Sequence, residues 1–173
     1  RTLADSLGGS VSVALLSTSV PETASKAAIA SGADKVYAVE DPLLNQVNFD
    51  LWVAALENLC KQESPSVVLI GKSTIGRDIA PRLASRLGTG LLSDCLELWI
   101  YKDSKHLAGN RPVYGGSAVA TVTHKGDLRI ASFRVKTHEP PTPDPSRQGE
   151  VVRFQPGLDA SSSKMKLGEQ VRQ

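Results

Sequence analysis

Ser66-Val67-Val68-Leu69-Ile70-Gly71-Lys72-Ser73-Thr74-Ile75-Gly76-Arg77-Asp78-Ile79-Ala80-Pro81-Arg82-Leu83-Ala84-Ser85-Arg86-Leu87-Gly88 is the stretch whose reading decides the fold. Its first five residues are a short apolar run, which reads as a strand. Ser73 or Thr74 can cap the helix that follows. In that helix Ile75, Ile79, Leu83 and Leu87 recur every fourth residue and form one apolar stripe. Gly88 is a natural stop. Pro81 sits inside the pattern and predicts a kink or an early turn.

The same order of strand and helix stands twice upstream. Val11-Ser12-Val13-Ala14-Leu15-Leu16 is a continuous apolar run, expected to be a strand buried on both faces. Pro21-Glu22-Thr23 opens a helix through Ala24, Ala27, Ala28 and Ala30, which Gly32 ends. Lys35-Val36-Tyr37-Ala38-Val39 is a second strand, and Asn48-Phe49-Asp50 leads into a helix with Leu51, Ala54, Ala55, Leu56 and Leu59 on one side. This β-α-β-α-β-α order implies parallel strands joined by right-handed crossovers. The fold class is therefore α/β, with a doubly wound, mostly parallel sheet of Rossmann-like kind. Residues 1–8 read as the second half of a helix with no strand before it, where a doubly wound domain normally starts with one; either a first strand is lost or the member is short.

After Gly90 the pattern changes. Leu96-Glu97-Leu98-Trp99-Ile100-Tyr101, Ala118-Val119-Ala120-Thr121-Val122 and Leu128-Arg129-Ile130-Ala131-Ser132-Phe133 read as strands, and Lys125-Gly126-Asp127 as a hairpin turn. The second half is expected to add antiparallel strands to one edge of the sheet. Glu139-Pro140-Pro141-Thr142-Pro143-Asp144-Pro145-Ser146 is neither helix nor inner strand. Glu150-Val151-Val152-Arg153-Phe154 is one more strand. Residues 1–155 are thus read as one α/β domain and residues 156–173 as a linker or tail.

Composition narrows the function. The chain has 173 residues, enough for one domain with its own core. Lys plus Arg is 20 and Asp plus Glu is 18, too even a balance for nucleic-acid binding. No run reaches the ~18 apolar residues of a membrane span, and Arg1-Thr2-Leu3-Ala4-Asp5 lacks the apolar core of a signal peptide. Cys60 and Cys95 fit neither a metal knuckle nor a redox pair, and read as packed thiols in a reducing compartment.

Three stretches invite chemistry. Gly71-Lys72-Ser73-Thr74 falls short of a phosphate loop, because Ser66 stands where the motif needs its first glycine. What remains is a helix N-terminus, with Ser73, Thr74, Gly76 and Arg77 as a rim for an anion or a partner, or hydroxyls that only cap the helix. Arg77, Arg82 and Arg86 flank the apolar stripe as a basic rim or as a solvated, ion-paired face. Arg111-Pro112-Val113-Tyr114-Gly115-Gly116-Ser117-Ala118 is the most distinctive. Arg111, Tyr114, Gly115 and Gly116 are the candidate cofactor-binding residues, facing a flavin, a nucleotide or a partner's carboxylate. A tight structural corner is the other reading. His106, His124 and His138 share no metal spacing, and no catalytic set of Ser, His and Asp is found.

Three of these segments resemble the α subunit of electron transfer flavoproteins. They are residues 76–95, residues 111–122, and Ile130-Ala131-Ser132-Phe133-Arg134 continuing to Glu139-Pro140. The family usually has Asn at the Ser117 position, Pro at Val135 and an aromatic residue at His138. The resemblance implies an adenine-nucleotide-hydrolase-like domain that packs against a homologous β-type subunit. It also implies electron transfer through FAD, from flavin dehydrogenases to a quinone-linked acceptor. FAD belongs to the whole assembly, held mainly by a C-terminal domain with glycine-rich segments, so this chain alone is expected to bind none. In some members a second flavin lies near the segment matching residues 111–116, where Arg111 would tune it. The expected setting is cytoplasmic, or the mitochondrial matrix in a eukaryote. The leading reading is an assembly module of a redox flavoprotein that is not itself an enzyme. Its rival is a small AMP-like nucleotide binder using residues 71–76.

Overall fold

The computed structural model describes residues 1–165 and Gly168. The deciding stretch forms strand β3 (Val67–Gly71) and helix α4 (Gly76–Arg86). Ile79, Ala80, Leu83 and Ala84 are buried along α4, with Leu83 fully inaccessible. Pro81 lies in the helix interior. Its missing N–H would have bonded the Arg77 carbonyl, and both residues are exposed, so water can satisfy that carbonyl. Gly76 is required by crowding. A Cβ there would stand 2.0 Å from the Gly71 carbonyl oxygen.

Upstream lie helix α1 (Thr2–Leu7), strand β1 (Ser12–Ser17), helix α2 (Glu22–Ala30), strand β2 (Lys35–Glu40) and helix α3 (Phe49–Glu63). Asn48 starts α3: its Oδ1 accepts from the amides of Asp50 at 3.1 Å and Leu51 at 3.3 Å. Downstream lie strands β4 (Leu91–Cys95), β5 (Glu97–Ile100), β6 (Leu107–Val113), β7 (Ala118–His124), β8 (Arg129–Phe133) and β9 (Glu150–Phe154).

Among the described residues the strands form three sheets of three. β1-β2-β9 and β3-β8-β4 are wholly parallel, and β5-β6-β7 is antiparallel. The α/β class with mostly parallel sheets and an added antiparallel part is thus as the sequence implies. Helix α2 packs Ile29 and Ala28 against Val13, Leu15 and Val36. Helix α3 covers the opposite face, where Ala55 and Leu59 meet Ala14, Leu16, Tyr37 and Val39. It also reaches the next sheet, where Val53 and Leu56 join Val68, Ile70 and Ile130. A helix that serves two sheets needs a wide apolar face, which is why Val53 is buried beside the residues expected from one stripe.

Three expectations are corrected, and two strands are added. Lys125-Gly126-Asp127 does not close a hairpin, because β8 leaves β7 and inserts in parallel between β3 and β4. β9 likewise joins β2 in parallel. The antiparallel strands form their own sheet instead of extending one edge. β4 and β6 are strands that sequence reading did not resolve. In β6, Pro112 lies beyond the residues paired with β5, so its missing N–H costs no bond on that side. Finally, β1 is half-buried along most of its length, not buried on both faces.

The segment after β9 returns to α3. Asn58 Nδ2 donates to the Pro156 carbonyl at 2.8 Å, and Asn48 Nδ2 to Ser163 Oγ at 2.9 Å.

Candidate cofactor and partner site

The site is built where strands end. Lys72 follows β3, Arg134 follows β8, and Asp94 lies near the end of β4. The ladder continues past the strands: the Lys72 amide donates to the Phe133 carbonyl at 2.8 Å and the Arg134 amide to the Cys95 carbonyl at 2.8 Å. Asp94 interrupts β4 with a register shift and a left-handed φ of 62°, a conformation that Asp tolerates better than most residues. Its amide donates to Ser132 Oγ at 3.1 Å.

This twist turns the Asp94 carboxylate onto two cations. Arg134 donates from Nε at 3.1 Å and from Nη2 at 2.8 Å, a bidentate fork. Lys72 Nζ stands 2.8 Å from the same carboxylate. These bonds, Arg134 first and Lys72 next, hold the Asp94 pKa down at about 2 against the opposing effect of burial. The carboxyl ends of parallel strands are where open α/β sheets place ligands.

The second wall is the corner between β6 and β7. Val113 pairs with Ala118, and the loop Tyr114–Gly116 closes that ladder. Tyr114, Gly115 and Gly116 have φ of 51°, 68° and 98°. Both glycines are needed for that conformation alone, since a Cβ at either would meet nothing within 4 Å. The corner therefore projects into open space, with Tyr114 87% exposed. Arg111 lies on β6 across from Ala120. Its Nε is buried without a hydrogen-bond partner, and no ion pair to it occurs among the described residues. Nearby Cys95 keeps its thiol protonated through burial, an effect that the Arg111 charge opposes.

Arg111, Tyr114, Gly115 and Gly116 thus come together as sequence reading grouped them. With Asp94 and Arg134 they line one concavity of about 520 Å³. Its polar groups are suited to an anion or a planar polar edge. Asp94, Arg134 and Lys72 were missed as a set. The usable signal was a charged residue within two positions of the last apolar residue of each run, but that signal gains meaning only once β8 is known to lie between β3 and β4.

The other candidate group lies elsewhere. Ser73, Thr74, Gly76 and Arg77 do not line this concavity. Ser73 Oγ accepts from the Gly76 amide at 3.1 Å within the turn that leads into α4, whose N-cap position is Ile75 and carries no side-chain cap; Thr74 and Arg77 are exposed. Arg82 and Arg86 pair with Asp50 and Glu57 of α3, each at 3.2 Å, along a groove of about 420 Å³. His124 is structural: Nδ1 accepts from the Gly126 amide at 3.0 Å, and the ring also meets Thr89 and Gly90. Among the described residues no three His, Cys, Asp or Glu side chains form a metal-binding group, and no helix is long and apolar enough to cross a membrane.

A family model described as the electron transfer flavoprotein domain matches residues 1–158. The chain is 33% identical over 173 residues to electron transfer flavoprotein subunit alpha of Megasphaera elsdenii, covering 99% of this chain and 51% of that protein. It is 36% identical over 168 residues to the subunit of the same name from Thermoanaerobacterium thermosaccharolyticum, covering 96% and 50%. Protein FixB of Azotobacter vinelandii is 34% identical over 125 residues, which is 70% of this chain and 34% of that protein. The chain spans about half the length of the first two relatives.

Proposed function

The chain belongs to the electron transfer flavoprotein family, and from that premise we propose that it is the N-terminal assembly domain of an alpha subunit. It docks a β-type subunit, so that FAD held by the whole assembly passes electrons from flavin dehydrogenases to a quinone-linked acceptor. The setting is cytoplasmic and reducing. One observation carries the reading. Arg111 offers a buried donor with no partner among the described residues, beside a concavity that opens next to the exposed Tyr114 corner.

That arrangement fits a flavin edge or a partner's carboxylate. Arg111 presents a planar fork of N–H donors whose charge is not neutralised locally. Arg134 is different: Asp94 already takes two of its donors and so fixes its position. Bound FAD supplies the redox chemistry. The residues of this chain hold the ring edge or the partner, set the local charge and leave the corner backbone accessible.

The test is assembly. Wild-type chain and Arg111→Ala are each mixed with the β-type subunit and FAD, then separated by size. We expect the wild-type chain to co-elute with the subunit and Arg111→Ala to lose affinity at least tenfold. The chain alone is expected to release less than one flavin per chain on acid treatment. A chain that keeps one FAD through gel filtration, or an Arg111→Ala variant that assembles like the wild type, overturns the reading.

A further inference from the structure

Residues 156–165 follow the last strand, and read from sequence alone they are a linker or tail. The part of that reading that falls on residues 166, 167 and 169–173 lies outside the described residues. The described part is held at several points. Pro156 is buried, and its carbonyl accepts from Asn58 Nδ2 of α3 at 2.8 Å. Leu158 packs against the cluster that holds Tyr37, Leu44, Leu59 and Phe154. Asp159 starts a single 3-10 turn, Ala160–Ser162, by accepting from the Ser161 amide at 2.9 Å. A chain gives up backbone freedom at each residue it orders, and an unattached linker has nothing to offset that loss.

The far end of the segment meets two side chains at the start of α3. Ser, Thr, Asp or Asn can each cap a helix, because the cap needs only an acceptor. Asn48 brings a donor as well: its Oδ1 caps α3, and its Nδ2 donates to Ser163 Oγ at 2.9 Å. Asp50 lies in the first turn, where a carboxylate is favourable, and its two oxygens face different elements. Oδ2 accepts from the amides of Lys164 at 2.9 Å and Met165 at 3.2 Å. Oδ1 accepts from Arg82 Nη1 of α4 at 3.2 Å, and the Arg82 guanidinium also lies over the Phe49 ring at 5.6 Å. The Asp50 side chain is only 18% exposed, so water competes little for these bonds. We propose that residues 156–165 are a strap belonging to the domain, closed by a latch of Asn48 and Asp50 that Arg82 sets from α4.

Two features make the strap a device that opens. Its near end is bound by burial, at Pro156 and Leu158, whereas its far end is bound mainly by hydrogen bonds, with Ser161, Ser162 and Lys164 exposed. The helix also stands without the strap, because the bonds from the Asp50 and Leu51 amides to Asn48 Oδ1 persist when Ser163 leaves. Opening at residues 159–165 therefore costs no helical turn. Arg82 is a positioning residue. It fixes the Asp50 carboxylate in line with the strap amides, and its own hydrogen bond goes to Asp50. Whatever draws Arg82 away from Asp50 loosens the strap, so the contact between α3 and α4 governs a third segment. None of these residues lines the concavity beside Arg111, and the device stands apart from the docking of a β-type subunit.

Amide hydrogen exchange on the 173-residue chain tests this, with trypsin cleavage after Lys164 as a second measurement. In the parent the Lys164 and Met165 amides should exchange at least about tenfold more slowly than in a free chain. Ser163→Ala lies outside every helix and strand. It should raise both rates close to free-chain values and speed cleavage after Lys164, with the amides of α3 and β9 unchanged. Asp50→Ala should do the same. Arg82→Ala should raise the two rates severalfold, and Arg82→Lys, which keeps a cation for Asp50, should restore most of the protection. Free-chain exchange at Lys164 and Met165 in the parent overturns the strap. Unchanged rates in Ser163→Ala overturn the latch, and a change that spreads through α3 and β9 opposes it equally, because cap and strap are then one unit. Equal rates in Arg82→Ala and the parent overturn the role of Arg82, as does protection that Lys fails to restore, which assigns the loss to the packing of α4.

Discussion

Two turns in this molecule are rich in glycine, and glycine serves opposite ends in them. Between β3 and α4, Gly76 is pressed against the Gly71 carbonyl and has no room for a Cβ. Between β6 and β7, Gly115 and Gly116 have open space around them and need only a left-handed φ. The first turn serves packing: it brings an apolar helix stripe down onto the sheet, and the Ser73 hydroxyl is spent on the Gly76 amide. The second serves exposure: it carries Tyr114 outward and leaves Arg111 with an unmatched donor. A glycine explained by crowding belongs to the fold, whereas one explained by φ alone, beside unsatisfied polar groups, marks a candidate site.

The comparison breaks if the packed turn tolerates bulk. Leu83→Asp should have the largest effect, because it buries an unpaired carboxylate at a fully inaccessible position and costs several kcal/mol. Urea titration should find this variant unfolded, whereas Arg86→Ala, on the exposed side, should stay within about 1 kcal/mol of the parent. Gly76→Ala follows. Its Cβ meets backbone, not a flexible side chain, so relief requires moving α4, at about 3 kcal/mol or more. A Gly76→Ala midpoint equal to that of the parent would show that the turn is looser than described.

The Asp94 cluster ties the candidate site to the sheet, and pH sharpens that link. Arg134 and then Lys72 depress its pKa to about 2 in the folded chain. A depressed carboxylate stabilises the fold above its unfolded pKa, and the contribution is lost as pH falls through the folded value. The window is therefore roughly pH 4 down to 2, with a full contribution of about 2 kcal/mol. Asp94→Asn should lose that amount at neutral pH. It should also flatten the acid limb of a stability-against-pH curve, measured by denaturant midpoints. An unchanged acid limb would mean that the ion cluster does not form in solution.

The contrast between the two turns also shows what the sequence can reveal. The β3–α4 unit was legible because a single local period, Ile75, Ile79, Leu83 and Leu87, sets both the element and its face. The grouping of Arg111 with Tyr114, Gly115 and Gly116 was legible because they are neighbours in the chain. The position of β8 was not. Lys125-Gly126-Asp127 has hairpin composition, and only the distant packing of Ile130 and Ala131 between β3 and β4 overrides it. β6 was hidden by residues chosen for their surroundings. A Cβ at Gly109 would stand 2.7 Å from the Glu97 carbonyl oxygen, so glycine is required inside a strand that it would ordinarily weaken. Asp94, Arg134 and Lys72 meet only through that unforeseen strand order.

At the open corner, substitutions should act on conformation. Gly115 has φ of 68° with nothing close by, so Gly115→Ala costs only the left-handed backbone, about 1 kcal/mol, and Gly115→Val more, because of β-branching. The melt of each isolated chain should show this order. If Gly115→Val melts like the parent, the corner relaxes freely and is not a fixed wall of the concavity.

The smallest effect on stability should come with the most informative effect on assembly. Arg111→Lys keeps one positive charge and most of the aliphatic stem. It removes the planar fork and the Nε donor, a buried group with no partner among the described residues. If Arg111 serves only as a structural cation, Lys should replace it in both folding and association, because no hydrogen bond from that Nε to a described residue is lost. If the fork meets a flavin edge or a partner's carboxylate, a point charge cannot reproduce two directed N–H bonds. The isolated Arg111→Lys chain should then melt within about 0.5 kcal/mol of the parent. Its affinity for the β-type subunit, measured by titration in the presence of FAD, should still fall severalfold. The split between an unchanged melt and a weakened complex is the signature. Equal affinity would return Arg111 to the structural frame and leave the open corner as a turn in the chain and nothing more.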